Sequence, residues 1–339
     1  MKRLIIACLV VLAVQMGLTV WSHWPKTEEG ITASKGPLMH FTPAVINELL
    51  IEDGEKHSLV VKKNEERWVI PDQGGCPADA ARIQALLERL AALQRGWPEA
   101  STTEAATRFQ VAAEKFAYRL TLRQDGNEQA KVYLGTSPGL RKLYLRKDGD
   151  KEILAMAITP QELDLKTDNW IDTKMLQLDP AKIKRLVLPE VTLVKQGQEL
   201  LPEGLGEQEE VVKDQRDNLM KTAAGLTVRG LAGQERKPAF RLDAPLLRYS
   251  IELEDGKTVE YTAGREVRPQ EKTPADGTAP PPEPATVVQV SGQQQLFQVD
   301  GWQIDALLKA NRAGLIRAKT ASTPAAQKAT PPAGNASGQ

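Results

Sequence analysis

The chain is poor in the residues that usually announce a chemistry. Its 339 residues include only two cysteines and three histidines. Cys8 lies inside an apolar N-terminal run, remote from Cys76, so no intramolecular disulfide is expected and cysteine usage fixes no redox compartment. His23, His40 and His57 stand apart, without HExxH, CxxC or mixed His/Cys spacing, so no metal site is assigned. Charge of one sign is not in excess either. The 44 Lys plus Arg balance 44 Asp plus Glu, which removes the overall field that would draw in nucleic acid. There is no GxSxG elbow and no P-loop, and the glycines of "LPEGLGEQEE" lack dinucleotide-binding spacing. Acidic residues are plentiful, yet nothing sets a pair at glycosidase separation. No catalytic residue and no cofactor is assigned, and the chain is not expected to be an enzyme.

The longest apolar run is at the N-terminus, "MKRLIIACLVVLAVQMGLTVWSHWP". The 17 residues from Leu4 to Val20 would span roughly 26 Å as a helix, close to a bilayer's hydrocarbon thickness. Trp21 and Trp24 suit an interfacial belt, and Lys2 and Arg3 favour a cytoplasmic N-terminus with the rest of the chain exported. The alternative is a cleaved signal peptide, although no small-x-small site directly follows the run. Residues 1–24 are therefore read as a transmembrane anchor and 25–43 as a polar linker.

Beyond the linker the pattern is α+β. "INELLIEDGEKHSLVVKKNEERWVIP" alternates like three short strands broken at Asp53-Gly54 and at Lys63-Asn64. "CPADAARIQALLERLAALQRGW" carries an apolar stripe of Ile83, Leu86, Leu87, Leu90 and Leu93, with Pro77 placed to open the helix and Gly96 to end it. Two hairpins follow, 117–124 with 130–135 and 142–147 with 152–158. The order then recurs. Pro71 and Pro202, Leu93 and Leu226, Tyr118 and Tyr249, Gly135 and Gly264, and Trp170 and Trp302 are separated by 129 to 133 residues. The expectation is two tandem copies of a mixed unit, antiparallel hairpins plus one amphipathic helix, over 44–180 and 181–318, with Trp170 and Trp302 both in the core. The second copy carries a Pro-rich insertion at 268–285, and 319–339 reads as a disordered tail.

Two places hold candidate functional residues. Cys76 precedes a helix start, where a thiol pKa can fall, but no histidine is near in sequence and the second copy has no counterpart, so an incidental position is the plainer reading. The stronger candidate is the turn Gly135, Thr136, Ser137, Pro138, Gly139 with Arg141 and Lys142, whose amides and cations could cradle an anion. It can equally be a plain hairpin connection. Its absence from the second copy argues that closing the unit does not require it.

At "VYLGTSPGLRKLYLR", "CPADAARIQALLERLAAL" and "NWIDTKMLQL" the chain resembles the bacterial membrane-anchored proteins grouped as domain of unknown function 4340. The matching elements are the strand end Trp68 to Pro71, the helix Pro77 to Leu93, the turn Leu134 to Gly139 and the closing Trp170 to Asp172. The resemblance implies a single-pass protein of the bacterial inner membrane with its bulk in the periplasm, with ABC-transporter subunits as partners in export. It brings no catalytic residues. The leading expectation is thus an accessory or interaction protein of such a system; the alternatives are a periplasmic module binding an anionic group, or an envelope hydrolase.

Overall fold

A computed structural model describes Gln15, residues 36–266 and residues 284–319. The anchor expected over 1–24, nearly all of the Pro-rich segment and the tail therefore lie outside the described residues. Among the described residues no helix is long and apolar enough to cross a membrane. The chain divides into two compact units between Trp170 and Ile171, and both are sheet-rich α+β structures.

The first unit forms one antiparallel sheet of eight strands. In chain order these are β1 (Glu48–Asp53), β2 (Ser58–Asn64), β3 (Arg67–Ile70), β4 (Cys76–Pro77), then helices α1 (Ala80–Ala91) and α2 (Thr103–Arg108), then β5 (Tyr118–Gln124), β6 (Asn127–Leu134), β7 (Leu143–Lys147) and β8 (Leu154–Met156). The spatial order is β4-β3-β2-β1-β5-β6-β7-β8. Period-two alternation sends Leu49, Ile51, Leu59, Val61, Leu120, Leu122, Val132 and Leu134 to one face, where all are buried. The register agrees, with Leu49 opposite both Val61 and Leu122, and Ile51 opposite both Leu59 and Leu120. Ile83, Leu86, Leu87 and Leu90 of α1 are buried too, which places the helix over this face. Asp125 and Gly126 both have positive φ, 49° and 81°, the pairing that a two-residue type I′ hairpin demands.

The opposite face carries cross-strand charge pairs. Arg119 meets Glu52 through two hydrogen bonds of 2.7 and 2.6 Å, and Glu48 sits between Arg123 and Lys62. Towards the β7 side this face is covered by a small cluster of Ala105, Ala106, Val111, Tyr133 and Ile153 with Phe109 and Tyr144.

The start of α1 differs from expectation. Pro77 does not open the helix; it pairs with Val69 in β4, while Cys76 pairs with Ile70. Asp79 is the N-cap, accepting a hydrogen bond from the Arg82 amide at 3.0 Å. A carboxylate cap and a strand edge in need of partners outweigh proline's preference for the first helical position. The helix ends at Ala91, short of Gly96. Part of the expected linker is also packed: Leu38 and Met39 are buried, the Leu38 amide donates to the Leu93 carbonyl, and the Arg95 amide donates to the Gly36 carbonyl.

The second unit contains β9 (Ile183–Val187), β10 (Thr192–Gln196), β11 (Glu199–Pro202), β12 (Glu209–Val211), α3 (Lys213–Ala224), β13 (Val228–Gly233), β14 (Leu247–Leu253), β15 (Thr258–Arg265), β16 (Thr286–Val290), β17 (Leu296–Val299), α4 (Gly301–Leu308), α5 (Arg312–Leu315) and β18 (Ile316–Ala318). Its main sheet runs β11-β10-β9-β14-β15-β16-β17-β13, and β12 pairs separately with β18. The seven-strand sequence β3-β2-β1-β5-β6-β7-β8 and the sequence β11-β10-β9-β14-β15-β16-β17 have the same neighbour order. Residues just after Ile171 belong here, because the Val228 amide donates to Thr173 and the Leu178 amide to Ala224.

Trp170 is buried as expected; its indole N–H donates to the Asp164 carbonyl at 2.6 Å and Arg82 lies over its ring. Trp302 is not. It is 63% exposed, which corrects the expected core role. Helix α4 turns Ile304 and Leu307 inward, and a residue two positions before Ile304 falls on nearly the opposite side of a helix.

Candidate functional site

The turn between β6 and β7 begins where backbone packs on backbone. Gly135 is buried, and a Cβ there would collide with the Phe109 carbonyl oxygen and lie 2.7 Å from that of Gln110. The approach is held by two bonds: the Gly135 amide donates to the Tyr144 carbonyl and the Thr136 amide to the Phe109 carbonyl, both at 2.9 Å. Gln110 itself takes a positive φ of 57°, which turns the chain away after the contact. Gly264, at the end of β15, stands in the same relation to the Phe240 carbonyl, and Arg241 after it also has a positive φ, 52°. Only glycine permits either approach.

From Thr136 to Lys142 every residue is exposed. The turn satisfies its own polar groups. The Ser137 hydroxyl donates to the Gly139 carbonyl at 2.5 Å and accepts from the Gly139 amide at 3.2 Å. An anion would have to displace these bonds to reach that amide. Arg141 sits at φ 57°, and the tip residue between Gly139 and Arg141 is Leu140, 91% exposed. No carboxylate among the described residues lies within ion-pair distance of Arg141 or Lys142. The expected cations are thus where the sequence put them, but they flank a leucine that sequence reasoning passed over. Its signal was there to read: an apolar residue between a Gly-Pro-rich turn and two cations.

The neighbouring turn at the same end of the sheet holds His57. Its Nδ1 lies 2.8 Å from Asp53 Oδ2, and that hydrogen bond, then the carboxylate's charge, raises the imidazole above its ordinary value. Beside α2 lies an open hollow of about 460 Å³ lined by Thr103, Glu104, Thr107, Arg108, Gln110 and Lys115. A smaller groove of about 230 Å³ runs between α3 and the α4–α5 region. Among the described residues no group of three His, Cys, Asp or Glu is placed to hold a metal ion. Cys76 is buried in β4 rather than at the helix start, with its Sγ 3.8 Å from the Pro77 carbonyl oxygen.

Residues 68–245, just over half of the chain, match the family described as a domain of unknown function (DUF4340). The chain belongs to that family. The DUF4340 match begins inside β3 and ends just before β14, so it contains α1, the β6–β7 turn and α3, and it runs across the division between Trp170 and Ile171. No curated protein and no solved structure matches the chain.

Proposed function

We propose that this DUF4340 chain is a membrane-anchored periplasmic interaction protein that accompanies an ABC-type export system, and that its two units are copies of one α+β design. The observation that carries the reading is the placement of the loops. Seven strands follow one order in both units, and Gly135 and Gly264 close the corresponding strand against a phenylalanine carbonyl in both. Directly after those glycines the units diverge. The first displays the compact turn to Leu143; the second continues β15 to Arg265 and resumes the sheet at Thr286. A frame that closes the same strand alike in both units and then continues differently suits a recognition scaffold, since connections on fixed elements carry binding while the frame carries stability.

The anchor and the export partner rest on the sequence: the apolar run from Leu4 to Val20 behind Lys2 and Arg3, and the neighbours implied for the family. The test is affinity purification of the tagged chain from gently solubilised membranes, alongside a variant lacking Thr136–Gly139. Co-purification of ABC-transporter subunits with the intact chain, and their loss from the variant, is the expected result. If neither sample brings down a transporter subunit, the association is wrong.

A further inference from the structure

The tip of the β6–β7 turn has the build of a docking knob. Leu140 is 91% exposed, the greatest exposure of any large apolar side chain among the described residues. Exposing a leucine forgoes roughly 1.5–3 kcal/mol of burial, so a turn that holds one outward presents apolar area that a partner can cover. The knob is braced rather than slack, through Gly135 against Phe109, Thr136 to Phe109, and Ser137 to Gly139. Arg141 and Lys142 leave two uncompensated positive charges directly beside the leucine. Several other cations of this unit are matched, as in Arg119 with Glu52, Arg123 with Glu48, and Arg95 with Asp150 and Glu152.

The position of the knob narrows the partner. β1 runs from Glu48 to Asp53 against β5 running from Gln124 back to Tyr118, and β6 returns from Asn127 to Leu134. The 135–142 turn therefore shares one end of the sheet with the Asp53–Ser58 turn. The chain enters the unit towards the other end: Gly36 bonds Arg95, and Arg95 pairs with Asp150 and Glu152 of the β7–β8 turn. The eight residues of β6 alone separate the two ends by about 27 Å.

We infer that the Leu140–Arg141–Lys142 tip docks into an apolar pocket rimmed by carboxylates on a protein partner, on the side of the first unit that faces away from the membrane. Leucine supplies the buried contact, and the two cations supply register and on-rate against the acidic rim. The membrane-distal placement rests on the anchored reading proposed above; the docking chemistry does not.

The test places a photoreactive benzoyl-phenylalanine at position 140 of the full chain in its native membranes, with a second probe at the exposed Asn127 on the opposite end of the sheet. The expected result is a protein adduct at 140 that maps to a peptide with Asp or Glu flanking apolar residues. Its yield should fall at least tenfold in Arg141→Glu/Lys142→Glu and persist in Arg141→Lys/Lys142→Arg. All these side chains are exposed, so unchanged melting of each variant confirms that folding is not the cause. Lipid adducts at 140, no adduct at all, or an adduct indifferent to charge reversal would each overturn the inference. Alkaline washing and flotation of the same membranes report on the anchor separately. A chain that washes off while its charge-dependent adduct persists refutes the anchor and leaves the docking intact.

Discussion

Replacing Gly135 by alanine tests the close packing on which the candidate turn is built. The added Cβ would fall on the Phe109 carbonyl oxygen, far inside the 3.0 Å that real Cβ atoms keep, and 2.7 Å from the Gln110 oxygen. These are backbone atoms, so no side chain can rotate out of the way. The carbonyl cannot withdraw freely either, because it accepts the Thr136 amide at 2.9 Å. Relief requires moving the 109–110 segment away from β6. Overpacking of this kind costs typically 1–3 kcal/mol, and weakening the Thr136 bond adds on the order of 1 kcal/mol. A loss of about 3 kcal/mol is therefore expected, which lowers the melting temperature by roughly 6–12 °C. Gly264→Ala should behave alike, since its Cβ would meet the Phe240 carbonyl. The control is Gly139→Ala in the same turn. Nothing lies within 4 Å of a Cβ there and the residue is outside the left-handed region, so the substitution should be neutral or gain up to about 1 kcal/mol through the unfolded chain. Urea and thermal unfolding of the three variants decide the matter. If Gly135→Ala and Gly139→Ala are equally stable, the backbone contact does not brace the turn and the rigid-knob argument loses its basis.

Four further outcomes follow from particular residues. Tyr249 and Tyr261 stack at 4.5 Å, and burial pushes both hydroxyls up, Tyr261 to about 12. Their unfolded counterparts ionise near pH 10, so stability should hold below pH 10 and fall as pH rises towards 12, by roughly 3 kcal/mol from Tyr261 alone; Tyr261→Phe should flatten that slope in alkaline urea titrations. His57 has a raised pKa through Asp53, so its stabilising pair is complete below about pH 6.5 and fades as pH climbs through the folded value; NMR titration should show the raised midpoint return towards normal in Asp53→Asn. Arg216 is buried in α3 with its Nη2 2.9 Å from Asp217 and its Nη1 3.3 Å from Glu199. Arg216→Leu should leave the chain as stable or up to about 2 kcal/mol more so, because an apolar residue avoids the desolvation of a buried charge. The Arg312 guanidinium donates to the carbonyls of Glu203 and Gly204 and pairs with Glu209, so Arg312→Ala should speed hydrogen exchange in the 203–211 segment at least tenfold while leaving β14 and β15 unchanged.

Much of the frame was legible because it is periodic. Alternation at Leu49/Ile51 and Leu120/Leu122 and the i, i+3, i+4 stripe from Ile83 to Leu90 are consequences of burying one face, and one face is what the strands and α1 bury. The same periodicity misled in one respect. Tyr118 and Tyr249 share local wording, but in the strand register Leu120 faces Val132 and Tyr249 faces Tyr261, pairs set 129 residues apart as Gly135 and Gly264 are. A shift of two residues keeps every side chain on its face, so sequence alone could not reject it. Trp302 failed for a related reason. It resembles Trp170 in local wording, yet which side of α4 faces inward is fixed by Ile304 and Leu307. The bracing of the turn was not legible at all, because the meeting of Gly135 with Phe109 joins segments that carry no mutual signature in sequence.

Nor was the place where one unit gives way to the other. The Trp170 carbonyl accepts the Asp79 amide in the first unit, while Thr173 accepts the Val228 amide in the second. Two residues separate these anchor points, and the expected division after residue 180 falls inside hydrogen-bonded structure of the second unit. The DUF4340 match respects this continuity. It starts at Trp68, crosses the junction and stops at Pro245, leaving out β1 and β2 at one side and β14 to β17 at the other. Here the recognisable stretch is α1, the braced turn, the junction and α3, taken together. The docking experiment is therefore performed on the full chain, which carries the whole matched segment.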